Sequence, residues 1–289
     1  MNKKKGFILV ALMLVLCCLL TGCTSHGKKM EKEYREQGIQ LMDAGKYKEA
    51  AKMFQVALDQ SYEGMDDLDM DIAYYKAAAL YKAGESADAI EAYQNIIDYN
   101  SKDWKSYYIQ GTLYLDMGNT ASADADYKAA AVYNPSDYDM FIQMYLNESE
   151  KGNTDQAQSY LSSALKIGGS DGESLCKQGE IEYLLGDHDK AKDLLTQAVS
   201  AGNSEALLYL TQVCIEQGDY DSALNYVQQG ISDTSGDSST LEQQFEFAKV
   251  VVYERKGDWT TAKSLIASYL DKYPDDTQAQ KENIIIQSR

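Results

Sequence analysis

The sequence predicts an all-α chain: a superhelical solenoid of about seven helix hairpins, closed by a C-terminal helix. Three observations predict it. A glycine followed five residues later by alanine occurs seven times, at Gly45/Ala50, Gly84/Ala89, Gly118/Ala123, Gly152/Ala157, Gly186/Ala191, Gly218/Ala223 and Gly257/Ala262. Nine residues after each glycine stands a bulkier apolar side chain, in order Phe54, Tyr93, Tyr127, Leu161, Leu195, Val227 and Ile266. On both sides of the glycine, apolar residues recur at helical spacings, as at Ala73, Ala77 and Leu80 and then Ala89, Tyr93 and Ile96. The glycines stand 34 residues apart three times running, with steps of 32 and 39 elsewhere, so one supersecondary unit is repeated along the chain.

Each element in turn has a local reason. Residues 1–22 carry Lys3, Lys4 and Lys5 and then an apolar run from Phe7 to Leu20. That is the charged start and apolar stretch of an export signal, short of the roughly 20 residues a membrane span needs. The run ends in Leu20-Thr21-Gly22-Cys23. This tetrapeptide resembles the bacterial lipobox, and the resemblance implies cleavage before Cys23 and lipidation of its thiol. Acyl chains such as palmitate, at about 0.8 kcal/mol per buried CH₂, hold a protein on a bilayer without any basic patch. Residues 23–30 are the lipidated cysteine and a short tether; even the stretch from Thr24 to Glu31 spans at most roughly 28 Å fully extended.

Seven hairpins are expected at 31–64, 70–103, 104–137, 138–171, 172–203, 204–237 and 243–276. In each, glycine closes the first helix by taking the left-handed conformation without a Cβ penalty. A short polar residue then opens the second, at Asn119, Asn153, Asp187, Asp219 and Asp258. The alanine lets the paired helices approach, and the bulky residue wedges between them. A small residue seven places before the glycine, at Gly38, Ala77, Gly111 and Gly179, predicts a second close crossing. Tyr145, Thr211 and Val250 hold that place in the other repeats and predict a looser one. Two junctions are longer: the acidic stretch Gly64–Asp71, expected as a solvated linker, and the polar run Ser232–Thr240, expected as a flexible joint setting off the last repeat. Residues 277–289 are expected to form a capping helix whose Ile284, Ile285 and Ile286 cover the end of the stack.

Motif and period together resemble the tetratricopeptide repeat family over residues 31–276, with the repeat-ending proline present only as Pro135 and Pro274. The resemblance implies that the first helices line a concave groove accepting extended peptides or partner helices. It places Tyr74, Tyr75, Tyr81, Tyr108, Tyr183, Tyr209 and Phe247 on or near that face. Tyrosine suits such a role, with large contact area, few rotors and a polar tip. The Lys and Asn cluster by which chaperone-binding members hold a terminal carboxylate is missing, since Lys82, Lys105 and Lys177 stand scattered beside Asp116, Glu150, Glu173 and Glu180. Anchor and groove together imply a lipid-anchored scaffold on the extracytoplasmic face of a bacterial membrane, the outer one where the cell has two. Its partners are other envelope proteins or peptides. Alternatives are an assembly factor for outer-membrane proteins or pili, and a cell-wall enzyme hidden among the acidic residues. Self-association stays open, because tyrosine-lined solenoids stack on one another.

Composition narrows the rest. With 27 basic and 45 acidic residues in 289, the chain has a net charge of −18, which excludes the cationic footprint of a nucleic-acid binder. Asp67, Asp69 and Asp71 alternate as in an EF-hand loop, but the sixth and twelfth places hold Ile72 and Ala78. His188 lies in a turn, with only His26 elsewhere, so no metal centre is expected. Cys176 and Cys214 are expected as buried free thiols, with a disulfide between neighbouring repeats as the alternative. There is no phosphate-binding glycine loop, no nucleophile elbow and no Cys-His pair, so no catalytic residue and no cofactor are expected.

Overall fold

The computed structural model describes residues 27–61, 65–234 and 240–289. Cys23, the expected export signal and parts of both long junctions lie outside them. Among the described residues there are fifteen helices and no strand. The chain divides into two compact units, Met1–Pro135 and Ser136–Arg289, and the boundary falls at a proline that cannot continue a helix ladder.

The first unit pairs α1 (27–43) with α2 (Tyr47–Leu58), α3 (Asp67–Lys82) with α4 (Ser86–Tyr99), and α5 (Trp104–Asp116) with α6 (Thr120–Tyr133). In the second, α7 (Tyr138–Glu150) pairs with α8 (Thr154–Ala164), α9 (Gly172–Leu184) with α10 (His188–Ser200), and α11 (Ala206–Glu216) with α12 (Tyr220–Thr234). The last pair is α13 (Thr240–Lys256) and α14 (Trp259–Lys272), followed by α15 (Thr277–Gln287). The expected all-helical repeat architecture holds. Helix α1 already includes residues 27–30, which the sequence pattern assigns to the tether.

The turns are local chemistry. Gly118 ends α5 with φ 78°, and the six other motif glycines take the same left-handed conformation. Nothing lies within 4 Å of a Cβ built on Gly118, so only backbone strain opposes a side chain there. Gly118→Ala is therefore expected to destabilise by about 1–2 kcal/mol, with Gly118→Asn losing less, as urea unfolding would measure. The next residue caps the following helix: Asn119, Asp187, Asp219 and Asp258 accept from the backbone N–H of Ser122, Lys190, Ser222 and Thr261. Asn153 departs from this pattern and donates its amide to the buried Glu148 carboxylate instead.

Packing inside the hairpins explains the two remaining motif positions. A Cβ on Gly38 would fall 2.5 Å from the Phe54 ring, one on Gly111 2.7 Å from Tyr127, and one on Gly179 2.6 Å from Leu195. The small residue seven places before the turn thus lies under the large residue nine places after it, and all three large side chains are fully buried. The motif alanines Ala50, Ala89, Ala123, Ala157, Ala191, Ala223 and Ala262 are each 0% exposed, as expected where two backbones come close.

Three expectations are corrected. The acidic stretch is no solvated linker where it is described: Asp66 caps α3 through a capping box with Asp69, and Asp69 is 1% exposed. Asp71 pairs with Arg35 on α1, so these acids satisfy a helix start and the neighbouring hairpin. The second junction does not set off the last repeat. Ser232 to Thr234 are still helical, and a Cβ on Gly230 would lie 2.2 Å from the fully buried Phe245 of α13. Finally, Ile286 alone of the three isoleucines on α15 is buried; Ile284 and Ile285 are 72% and 45% exposed, because α15 packs against the last hairpin on one face only and successive residues of a helix point in different directions.

Candidate functional site

Most of the tyrosines projected onto the first-helix face have internal tasks. In the first unit Tyr74, half-buried, donates its hydroxyl to Asp103, which also caps α5 through the N–H of Ser106. Burial and that carboxylate hold the phenol well above its ordinary range. The Tyr75 ring stacks on Phe54 with centroids 5.4 Å apart, and the Arg35 guanidinium covers it at 5.2 Å. Tyr108 stacks on the buried Tyr127 at 5.8 Å. Tyr81 is 42% exposed. Only Tyr81 among these four presents a broad surface to solvent.

In the second unit Tyr183 donates its hydroxyl to Glu216 of α11 and stacks on His188 at 5.7 Å, while the second Glu216 oxygen lies 3.3 Å from His188 Nε2. His188 is thus part of a contact between neighbouring hairpins rather than a bare turn residue. Tyr209 packs against the core around Leu207 and Leu210, and burial beside Glu180 drives its phenol far up. These hydroxyl clasps join one hairpin to the next, the Tyr74 bond to Asp103 part-buried and the Tyr183 bond to Glu216 exposed.

Phe247 is different. Its ring leans on Tyr269 at 5.4 Å and lines an open cavity of about 230 Å³ between α11 and α13. Leu208, Ile215, Ala248 and Val251 supply the rest of the apolar lining, with Gln212 and Gln244 among the polar lining residues. This slot lies on the face formed by two adjacent first helices. Apolar walls with amide groups among them suit an extended peptide or a partner helix, whose side chains fill the slot while its polar groups meet the amides. Of these lining residues only Phe247 is placed on the groove face by the sequence. Their signal was present: 208, 212 and 215 on α11, and 244, 247 and 251 on α13, repeat at spacings of three and four beside the core stripe.

Cys176 and Cys214 are free and buried. Burial pushes the Cys176 thiol up to about 12, and Cys214 upward too. Both stay protonated near neutral pH and so lack the thiolate that nucleophilic chemistry requires. Among the described residues no helix is long and apolar enough to cross a membrane.

Comparison with known proteins agrees with this architecture. Models described as tetratricopeptide repeat match residues 35–103, 105–137, 183–239 and 249–276. No curated protein matches significantly. Among solved structures, a tetratricopeptide repeat protein from Parabacteroides merdae is similar over 90% of this chain and 100% of its own, with 13% identity and a TM-score of 0.58. Yeast Tom70 is similar over 92% of this chain and 55% of its own, with 14% identity and a TM-score of 0.60. At such identities these likenesses bear on the fold alone.

Proposed function

The chain belongs to the tetratricopeptide repeat family, and on that premise we propose that it is a lipid-anchored, non-catalytic scaffold that binds envelope proteins at the extracytoplasmic face of a bacterial membrane. The observation that carries the binding reading is the slot between α11 and α13, where Phe247, Leu208, Ile215 and Val251 leave apolar surface open on a first-helix face. The anchor rests on Leu20-Thr21-Gly22-Cys23 behind a lysine-led apolar run. A net charge of −18 favours a partner segment whose apolar side chains are flanked by Lys or Arg, since complementary charge speeds encounter and selects partners.

The test is photo-crosslinking in intact cells from a reactive residue placed at position 208, followed by mass spectrometry. A small set of partners is expected from the otherwise native protein, falling by about tenfold or more with Phe247→Ala, the size of loss seen at interface hot spots. Gln244→Arg, on an exposed position, should lower recovery without disturbing the core. Equal recovery with both variants would move binding off this face. Cys23→Ser should abolish incorporation of a palmitate analogue and release the protein from membranes; labelling that survives would remove the anchor.

A further inference from the structure

We propose that Glu31, Asp66 and Asp69 form a binding site for a hard divalent cation, Ca²⁺ above all, joining the start of α1 to the start of α3. One oxygen from each carboxylate lies within 4.8 Å of the others. Glu31 is 0% and Asp69 1% exposed, while Asp66 at the head of α3 reaches solvent and opens a way in. The observation that points beyond a mere cluster of acids is the state of the buried oxygens. Glu31 Oε1 and Asp69 Oδ1 are shut off from water and accept no hydrogen bond, although buried carboxylate oxygens almost always have a donor. The other Asp69 oxygen is satisfied, by Ser61 Oγ at 3.1 Å and the Asp66 N–H at 2.9 Å.

The positive charge now facing the trio is the Lys28 ammonium. Its Nζ lies 2.9 Å from Glu31 Oε2, 2.7 Å from Asp66 Oδ2 and 3.5 Å from Asp69 Oδ2. One ammonium against three carboxylates leaves net negative charge in a largely dry place, and it makes no well-directed hydrogen bond there, so both Glu31 oxygens and Asp69 Oδ1 are left without one. The Lys28 ammonium is itself shut off from water, but its side chain is 37% exposed on a flexible stem, so it can swing outward when a better cation arrives. A divalent ion neutralises more charge and contacts oxygens the ammonium does not. Oxygen-only donors favour Ca²⁺ or Mg²⁺ over zinc or copper, and Ca²⁺ tolerates irregular geometry with water in the remaining positions. Burial holds the Glu31 carboxyl above its ordinary value, which leaves one competing explanation: a proton shared between Glu31 and Asp69.

The test uses the full chain in detergent, stripped with EDTA and titrated with CaCl₂ and, separately, MgCl₂, followed by calorimetry and thermal melting. One Ca²⁺ per chain is expected, with Kd below about 1 mM, and a melting transition that moves up as Ca²⁺ rises past Kd. Glu31→Gln should weaken binding by about tenfold or more, by removing a charged ligand. Lys28→Ala should tighten it severalfold, since the competing ammonium is gone. That variant separates ligand site from structural ion pair, because a purely structural Lys28 would only lose stability. Lys28 is exposed enough for its variant to fold, and circular dichroism would verify helix content in both. No heat and no shift up to about 10 mM Ca²⁺ would overturn the proposal, as would unchanged affinity in both variants. A metal-independent gain in stability from Glu31→Gln, with no Ca²⁺ binding by the unsubstituted chain, would establish the shared proton in its place.

Discussion

Replacing Gly230 with alanine is expected to destabilise the second unit by about 1–3 kcal/mol, the cost of overpacking a filled core. The sign is what makes the experiment informative. Gly230 lies within helix α12, where alanine normally stabilises by roughly 0.5–1 kcal/mol. Here the added Cβ would fall 2.2 Å from Phe245 Cε1 and 2.3 Å from Cζ, and Phe245 is 0% exposed in the core formed with Leu207, Leu210 and Val213. The ring has nowhere to go without moving α13. Urea unfolding of the full chain should show the loss, and hydrogen exchange should place it in α13 and α14. Gly230→Ala combined with Phe245→Leu should recover part of it, since the two sites share one contact. Stabilisation by Gly230→Ala would mean that the last hairpin stands apart from α12.

Asp126→Asn is expected to stabilise the first unit by about 1–2 kcal/mol at pH 7, and to do nothing at pH 4. Asp126 Oδ2 is buried with no hydrogen-bond partner, and burial pushes the carboxyl up to about 6. The unfolded carboxyl titrates near 3.9. Between those values the folded chain holds a proton that the unfolded chain has lost, so stability declines as pH rises from about 4 to 6. Below that window both states are protonated and the substitution changes little.

Other acids act in the opposite direction. Asp171, Asp219 and Asp258 lie below their ordinary value because hydroxyls and backbone N–H groups of the helices they cap bond the ionised form. Asp276 is lowered by the Tyr269 hydroxyl and the α15 backbone, and Asp66 falls to about 2 beside Lys28. What these five contribute is in place above their unfolded value and is lost as pH drops through the folded ones. Melting temperature against pH should therefore peak between about 4 and 5 in the unsubstituted chain. In Asp126→Asn the rise on going from pH 7 to pH 5 should shrink. A variant profile parallel to the unsubstituted one from pH 7 to pH 4 would refute the assignment to Asp126.

The projected binding face shows where sequence reasoning stops. Spacing placed seven aromatic residues on first helices, and nothing in spacing could reveal that the Tyr74 hydroxyl is taken by Asp103, 29 residues on, or that of Tyr183 by Glu216, 33 residues on. Asp103 caps the first helix of the hairpin after that of Tyr74, and Glu216 ends the first helix of the hairpin after that of Tyr183. Whether two side chains one repeat apart meet depends on the rotation of one hairpin against the next, which many packed residues set together. The slot at Phe247 needs α11 and α13 side by side, and the carboxylate trio needs residues 31 and 69 face to face.

The sequence by itself determined where each hairpin turns and which residues line its core. A left-handed glycine, a cap one residue later, and a small side chain under a large one 16 places on are local or within one hairpin, so their pattern is legible in the chain. Only the tertiary structure decided which surface stays open, where acids are buried, and that the chain falls into two compact units. Those outcomes rest on contacts between repeats, where each fit depends on several side chains at once and no single spacing encodes it.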